Sequence, residues 1–260
     1  MATILKHWRE AATLIIAARS KNITNKFNYD ILMMKRSGKS KFMPSVHVFP
    51  GGVAEESDFS PEWLDVFSLL GNDIFPKTFD YFATAGPGPP MFSRKRDEQF
   101  SKIPSEVAFR ICAIRETFEE CGILLTRPAN DNTRNSLLDL KNSRISFGTI
   151  GNIGLTDFES WREKVDKDAS QFITMCKKYN IVPDIWSLSE WSNWLTPLNT
   201  ARKASNTHEG SKRRYDTAFF LCLLDSIPDA KHDDRETIQL QVKKKCTIKS
   251  RMLNFNYWLK

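Results

Sequence analysis

Several things are scarce or missing in this chain, and each absence narrows the reading. No apolar run approaches the roughly 18 residues that span a bilayer, which argues against an integral membrane protein. Histidine is sparse: His7, His47, His208 and His232 are scattered and give no H-x-x-x-H spacing. Nothing in their placement suggests a Ser/His/Asp or Cys/His catalytic set. The five cysteines, Cys112, Cys121, Cys176, Cys222 and Cys246, are odd in number and hold no C-x-x-C pair. Four of them sit in apolar surroundings, so they read as buried thiols in a reducing, intracellular compartment and not as a disulfide framework or a zinc site. Internal repeats are absent. With 41% hydrophobic and 27% charged residues, the composition excludes collagen, coiled coil and wholesale disorder.

What remains is an ordinary globular composition over 260 residues, enough for one or two domains and for a core that needs no disulfide or structural metal. The net charge of +7 suggests a nucleic-acid partner until it is located. Residues 231–260 carry +5 of it, which leaves +2 for the first 230 residues. A charge cluster confined to a tail reads as a solvated segment, so nucleic acid is not an expected partner.

Along the chain, Thr13, Leu14, Ile15 and Ile16 dominate an apolar run bounded by charge, which predicts a buried strand over residues 12–17. A second strand is expected over 29–34, a polar turn over 35–40, and a short strand over 46–49 that runs into Pro50-Gly51-Gly52. Residues 53–103 are broken by Gly71, Pro76, Gly86, Pro87, Gly88, Pro89 and Pro90, and read as an irregular insertion with a short helix over 61–70. The clearest helix is Ser105–Cys121, with Ser105 as its expected N-cap, Glu106 in the first turn and Gly122 just past the end. Helical spacing resumes over 158–179, and strands are expected over 216–224 and 238–242.

The helix Ser105–Cys121 carries the chemistry. At 100° per residue Val107, Ile111, Ile114, Phe118 and Cys121 form one apolar stripe about 80° wide. Glu116, Glu119 and Glu120 share the opposite side within one turn, where like charges cost a few tenths of a kcal/mol per pair, roughly. By itself this reads as a solvated acidic face, or as a set of oxygen ligands for a divalent cation, which would remove the conflict. Pro50-Gly51-Gly52 by itself is a tight turn, or a place where the backbone approaches a metal or phosphate closely.

Taken together, Phe49-Pro50-Gly51-Gly52 and Arg115-Glu116-Thr117-Phe118-Glu119-Glu120-Cys121-Gly122-Ile123 resemble the two ends of the Nudix box, G-x5-E-x7-R-E-U-x-E-E-x-G-U with U apolar. The chain departs from it in spacing: 63 residues separate Gly52 from Arg115, so 49 extra residues lie inside the box. Asp58 stands at the offset of the first glutamate, and Thr117 is not strictly apolar. A box split in this way resembles the Nudix 19 subfamily of mitochondrial and peroxisomal acyl-CoA diphosphatases. Trp8-Arg9-Glu10, Ile31-Leu32-Met33-Met34, Trp194-Leu195-Thr196-Pro197 and Arg213-Arg214-Tyr215-Asp216 look like that subfamily as well, and the likeness runs over roughly residues 4–236.

The resemblance implies an α/β fold, the Nudix α/β/α sandwich with a mixed sheet and a large insertion between the halves of the box. Residues 1–236 would form the Nudix domain, with 53–103 as the insertion, and 237–260 a divergent basic tail. It implies Mg2+ or Mn2+ held by Glu116, Glu120, Glu119 and the Gly52 carbonyl. Arg115 would brace the loop–helix–loop through ion pairs, and Glu236 is a candidate general base. Lys35, Arg36, Arg213 and Arg214 are candidates for phosphate contacts, and Trp194 and Tyr215 for stacking on adenine. The implied substrate is a small nucleotide-type molecule, coenzyme A or an acyl-CoA, cleaved to 3′,5′-ADP and phosphopantetheine. The alternatives are another nucleotide diphosphate (an ADP-sugar, a dinucleotide or an RNA cap) or a catalytically silent binding module. Peroxisome or mitochondrion follows from the resemblance only, since no terminal S-K-L-type tripeptide is present. The loss of pattern after Glu236 leads to the expectation of a truncated or alternative C-terminus that leaves apolar surface exposed.

Overall fold

The computed structural model describes residues 8–20, 29–37, 45–79, 89–142, 146–196, 214–228 and 237–243. Strand β1 (Trp8–Arg19) is the axis of a mixed sheet. It is longer than the expected 12–17, and apolar on both faces: Ala12, Leu14 and Ile16 are fully buried on one side, while Ile15 and Ala17 are nearly so on the other. A near-continuous apolar run of this kind belongs to a strand covered above and below. Strand β2 (Tyr29–Arg36) pairs with β1 at only three positions, from Ala17–Ile31 to Arg19–Tyr29. Beyond them the two strands part. The gap is filled by β3 (His47–Val48), which pairs with β2, and β4 (Gly51–Val53), which pairs with β1 through Thr13–Gly51, Ala12–Gly52 and Ala11–Val53. Leu14 N–H donates to the Pro50 carbonyl at 2.9 Å and Ala54 N–H to that of Glu10 at 3.0 Å, so the glycine bend is pinned to the middle of the sheet.

The 53–103 stretch, expected to be irregular apart from a short helix over 61–70, carries that helix as α1 (Trp63–Ser68), together with a 3-10 turn at Glu56–Phe59 and helix α2 (Ile74–Phe79). Phe59, Trp63, Phe67, Ile74, Met91 and Ile103 lie in the main core. The turn and α2 are too short for periodicity to reveal them, and the aromatic residues of the stretch pack into the core: Phe59 meets Phe109 edge-on at 5.4 Å, and Trp63 meets Phe172 at 5.7 Å. Arg94 pairs with Glu10 and Asp216, Arg96 pairs with Glu10, and together they tie the end of the stretch to β1 and to the strand beside it.

Helix α3 (Ser105–Cys121) has the bounds expected of it, with one difference at its start. Pro104 is the N-cap, and Ser105 is the first helical residue, its hydroxyl accepting from Arg96 Nε at 3.3 Å. Gly122 closes the helix in the left-handed region (φ 64°), its N–H bonding to the Phe118 carbonyl at 2.9 Å. Every residue of α3 except its four glutamates is buried. Of the expected apolar stripe, Cys121 reaches Met34 of β2, and Phe118 meets Phe158 and Phe172. The opposite side is covered too, because Phe109 meets Phe59 and Phe92 of the 53–103 stretch.

Strand β5 (Thr126–Pro128) and helix α4 (Asp131–Leu138) come next. The helical spacing over 158–179 resolves into α5 (Leu155–Lys167) and α6 (Gln171–Tyr179). Asp168 separates them, its carboxylate accepting from the N–H and hydroxyl of Ser170 at 3.0 and 2.7 Å, a local bond that competes with helix. Strand β6 (Ile181–Pro183) pairs with β5 in a small second sheet, and β7 (Leu188–Leu195) returns to the main one. Strand β8 (Arg214–Leu224) pairs parallel to β1 without interruption, from Trp8–Arg214 to Ala18–Leu224, and β7 flanks it on the other edge with a bulge at Glu190/Ser192. Strand β9 (Thr237–Lys243) joins β2 antiparallel. The boundary set at residue 236 from the sequence therefore falls one residue before a strand of the main sheet.

No described helix contributes to the second face of that sheet, where Ile15, Ala17 and Ile31 pack with Met33, Phe49, Phe219, Leu221 and Leu223. Among the described residues no helix is long and apolar enough to cross a membrane. Cys112, Cys121, Cys176 and Cys222 are buried, and Cys246 lies outside the described residues.

Candidate active site

Two strand residues and one helical turn meet at the centre of the fold. Gly51 N–H donates to Glu120 Oε2 at 2.8 Å, across 69 residues of sequence. A Cβ added to Gly52 would lie 2.3 Å from Glu116 Oε2, so any other residue there pushes that carboxylate aside. The Gly52 carbonyl faces the Cys112 thiol at 4.0 Å. Burial pushes that thiol well above its ordinary value, with the Asp58 charge adding to the effect.

Arg115 is the hub. Its Nε and Nη2 grip both oxygens of Asp58, each at 2.9 Å, and both side chains are almost wholly buried. Nη2 also donates to the Val53 carbonyl at 3.1 Å, and Nη1 to Glu116 and Glu119 at 3.0 and 2.8 Å. Asp58 in turn accepts from the Glu55 N–H at 2.9 Å. A planar fork on a carboxylate is the geometry a guanidinium suits, and one that lysine does not reproduce. Burial works against the Arg115 charge, but the carboxylates of Asp58 and Glu116 outweigh it and hold the guanidinium well above its ordinary value.

The acidic side of α3, which in sequence also reads as a solvated face, is largely enclosed. Glu116 and Glu119 side chains are only 13% and 11% exposed, because β4 and the turn at Glu56–Phe59 lie over them. Burial pushes the Glu119 carboxyl up to about 8, with Arg115 opposing it and the Glu116 charge adding to it. Three carboxylates thus gather around one guanidinium, and the fourth, Glu120, is held by the Gly51 N–H. Among the described residues, no three His, Cys, Asp or Glu side chains already converge as a group that could hold a metal ion.

A cavity of about 610 Å³ opens over Arg115, Glu116 and Glu119. Its other walls are Glu55 and Glu56, beyond the glycine bend, and residues 165–169 at the end of α5. Glu55 and Glu56 escaped the sequence reading, although they stand three and four residues past Gly52. Residues 165–169 left no trace there, since nothing in linear order ties them to the box.

The basic candidates are not gathered at this cavity. Lys35 and Arg36 end β2, where Lys35 pairs with His47 on one edge and Gln239 on the other. Arg214 begins β8, its guanidinium 5.1 Å from the centre of the Trp8 ring. None of the three lines the cavity. Arg213 and Glu236 lie outside the described residues. Trp194, half exposed on β7, leans on Phe219 at 6.4 Å, and Tyr215 pairs with Arg9.

The comparisons agree with this geometry. The model of the family described as the NUDT19 Nudix domain matches residues 8–260, past the point at which the sequence pattern fades. The acyl-coenzyme A diphosphatase NUDT19 of Xenopus laevis is 40% identical over 261 residues, covering 91% of this chain and 62% of that protein. Its namesake in Gallus gallus is 40% identical over 244 residues (90% and 60%), and that in Homo sapiens 33% over 270 (97% and 65%). The chain therefore spans about three-fifths of the length of the curated relatives it matches. The crystal structure of a NUDIX hydrolase from Alicyclobacillus acidocaldarius shares the fold, with a TM-score of 0.53 at 19% identity over 90% of this chain and 78% of that one. With its split box closed around Arg115 and the family match running nearly end to end, the chain belongs to the NUDT19 Nudix domain family.

Proposed function

We propose that this chain is a metal-dependent diphosphatase that cleaves coenzyme A or acyl-CoA into 3′,5′-ADP and the (acyl-)phosphopantetheine. The observation that carries the reading is the closure of the box: Gly51 N–H on Glu120, and the Asp58 fork on Arg115, across an excursion of more than fifty residues. The relatives named acyl-coenzyme A diphosphatase supply the substrate.

Mg2+ or Mn2+ fits the residues present. The donors are carboxylate oxygens and a backbone carbonyl, the hard ligands those ions select. Glu116, Glu119 and Asp58 face a single guanidinium, Glu120 stands on the Gly51 N–H, and the Glu116 carboxylate rests on Gly52 where a Cβ would displace it. Glu116, Glu120, Glu119 and the Gly52 carbonyl would hold the ion. When bound, such an ion neutralises charge on diphosphate oxygens and acidifies a coordinated water. Arg115 acts from beneath: it is too deeply buried to meet substrate, and it orients Glu116 and Glu119 while Asp58 fixes its plane. The cavity over these residues admits the diphosphate, with Lys167 as the cation on its far wall. Glu236 is the proposed general base. Lys35, Arg36, Arg213 and Arg214 would meet the nucleotide phosphates away from the carboxylates. Because β9 is part of the sheet, the catalytic unit extends at least to Lys243.

The test is a product assay with CoA, a medium-chain acyl-CoA, ADP-ribose and capped RNA side by side, with and without Mn2+. The CoA substrates should be cleaved fastest and only with metal. CoA as the poorest substrate overturns the substrate assignment, and no turnover of any of them returns the chain to the silent-module alternative.

A further inference from the structure

Helix α3 ends in a way that its own sequence leaves unsupported. The last carbonyls of a helix lack intrahelical partners, and the negative end of the macrodipole favours a cation there. The last turn of α3 holds no basic residue and instead carries Glu119 and Glu120, two charges of the wrong sign for that position. The missing cation arrives from another helix. Arg162, on α5 and only 9% exposed, donates Nε to the Glu119 carbonyl at 2.7 Å and Nη2 to the Glu120 carbonyl at 3.0 Å. These are the backbone groups of the two residues whose side chains face Arg115 and Gly51.

We infer that Arg162 is a positioning residue for the carboxylates of the last turn. It fixes the peptide planes from which Glu119 and Glu120 project, and so sets where their oxygens stand relative to Gly51–Gly52. Resting on the metal-dependent reading above, this deepens that reading: the second support of the ligand set comes from outside both halves of the box. Helix α5 continues to residue 167 and the far wall of the cavity, so Arg162 also couples that wall to the carboxylates. Its contact with Glu159, which is half exposed, is longer at 3.8 Å than either bond to the carbonyls.

The experiment measures Mn2+ binding to the substrate-free chain by electron paramagnetic resonance, beside CoA turnover and the thermal midpoint. Arg162→Met keeps the stem and removes both donors, and Arg162→Lys keeps the charge but replaces the planar two-nitrogen fork with a single ammonium. Loss of an outer support typically weakens metal affinity about 10- to 100-fold. Arg162→Met should fall in that range, Arg162→Lys should recover part of the loss, and Glu159→Gln should bind Mn2+ like the parent. Parent-like Mn2+ affinity in Arg162→Met overturns the inference even if its midpoint drops. An equal loss in Glu159→Gln overturns it too, because net charge and not the carbonyl anchors would then be responsible. A parent chain that binds no Mn2+ removes the metal-dependent reading itself, and this inference with it.

Discussion

Two adjacent glycines should fail in opposite ways when each is changed to alanine, and the structure supplies the magnitudes. At Gly52 the added methyl would lie 2.3–2.5 Å from the three carboxylate atoms of Glu116 and meet nothing closer. Ordinary contact is about 3.4 Å, so the carboxylate must retreat by roughly 1 Å, which the end of a flexible side chain can do. Folding loses at most one bond from Arg115, on the order of 1 kcal/mol. Chemistry loses more, because a misplacement of about 1 Å costs on the order of a hundredfold in rate. At Gly51 the methyl would meet the Ala12 carbonyl oxygen at 2.4 Å and Thr13 Cα at 2.6 Å, both backbone atoms of β1, at a φ of 153°. Nothing there can retreat without opening the sheet. Overpacking of about 1–3 kcal/mol adds to backbone strain of similar size. Roughly 2–4 °C per kcal/mol then makes a drop of about 10 °C in Tm. CoA hydrolysis and differential scanning fluorimetry on both variants decide the matter. Gly52→Ala turning over at the parent rate, or losing as much Tm as Gly51→Ala, refutes the reasoning.

Three further outcomes follow from the same geometry. Asp58→Ala leaves the Arg115 guanidinium buried without its fork, so stability should fall by about 3–5 kcal/mol in urea unfolding; a loss below 1 kcal/mol would show the pair to be dispensable. Glu120→Gln keeps an acceptor for the Gly51 N–H but removes a charge from the proposed ligand set, so turnover should drop by orders of magnitude at unchanged Tm, and steady-state kinetics at saturating Mn2+ checks it. Burial pushes the Cys222 thiol from 9.0 up to about 12. Below pH 9 both states keep that proton; above it the unfolded chain loses it and the native state does not, so stability declines by roughly 1 kcal/mol per pH unit through this group. Cys222→Ala should flatten the dependence of the urea midpoint on pH between 9 and 10.5, and an unchanged slope counts against the thiol.

What the sequence disclosed and what it hid divide along one physical line. Order along the chain was legible where the signal is local: the bounds of Ser105–Cys121 follow from its stop at Gly122 and its apolar spacing, and β1 and β8 from short apolar runs. Motif chemistry was legible too, because the box prescribes residue types whatever lies between its halves. Burial by distant residues was not. Glu116 and Glu119 have the same sequence context whether water or β4 lies over them, and only the fold decides. Of the 53–103 stretch only the helix over 61–70 was expected, since a 3-10 turn and the six residues of Ile74–Phe79 are too short for a period of 3.6 to show, although a stretch carrying Phe59, Trp63 and Phe67 is too apolar to be solvated loop. Arg162 sits on a highly charged helix and looks like any of its surface neighbours; what separates it is that Glu119 and Glu120 end a helix with no cation of its own. That deficit is written in the sequence of α3, and it says that a cation must come from elsewhere without saying from where. Box residues can thus be found by pattern, whereas the residues that hold them must be found by asking which helix end, buried charge or glycine gap the pattern leaves unsatisfied.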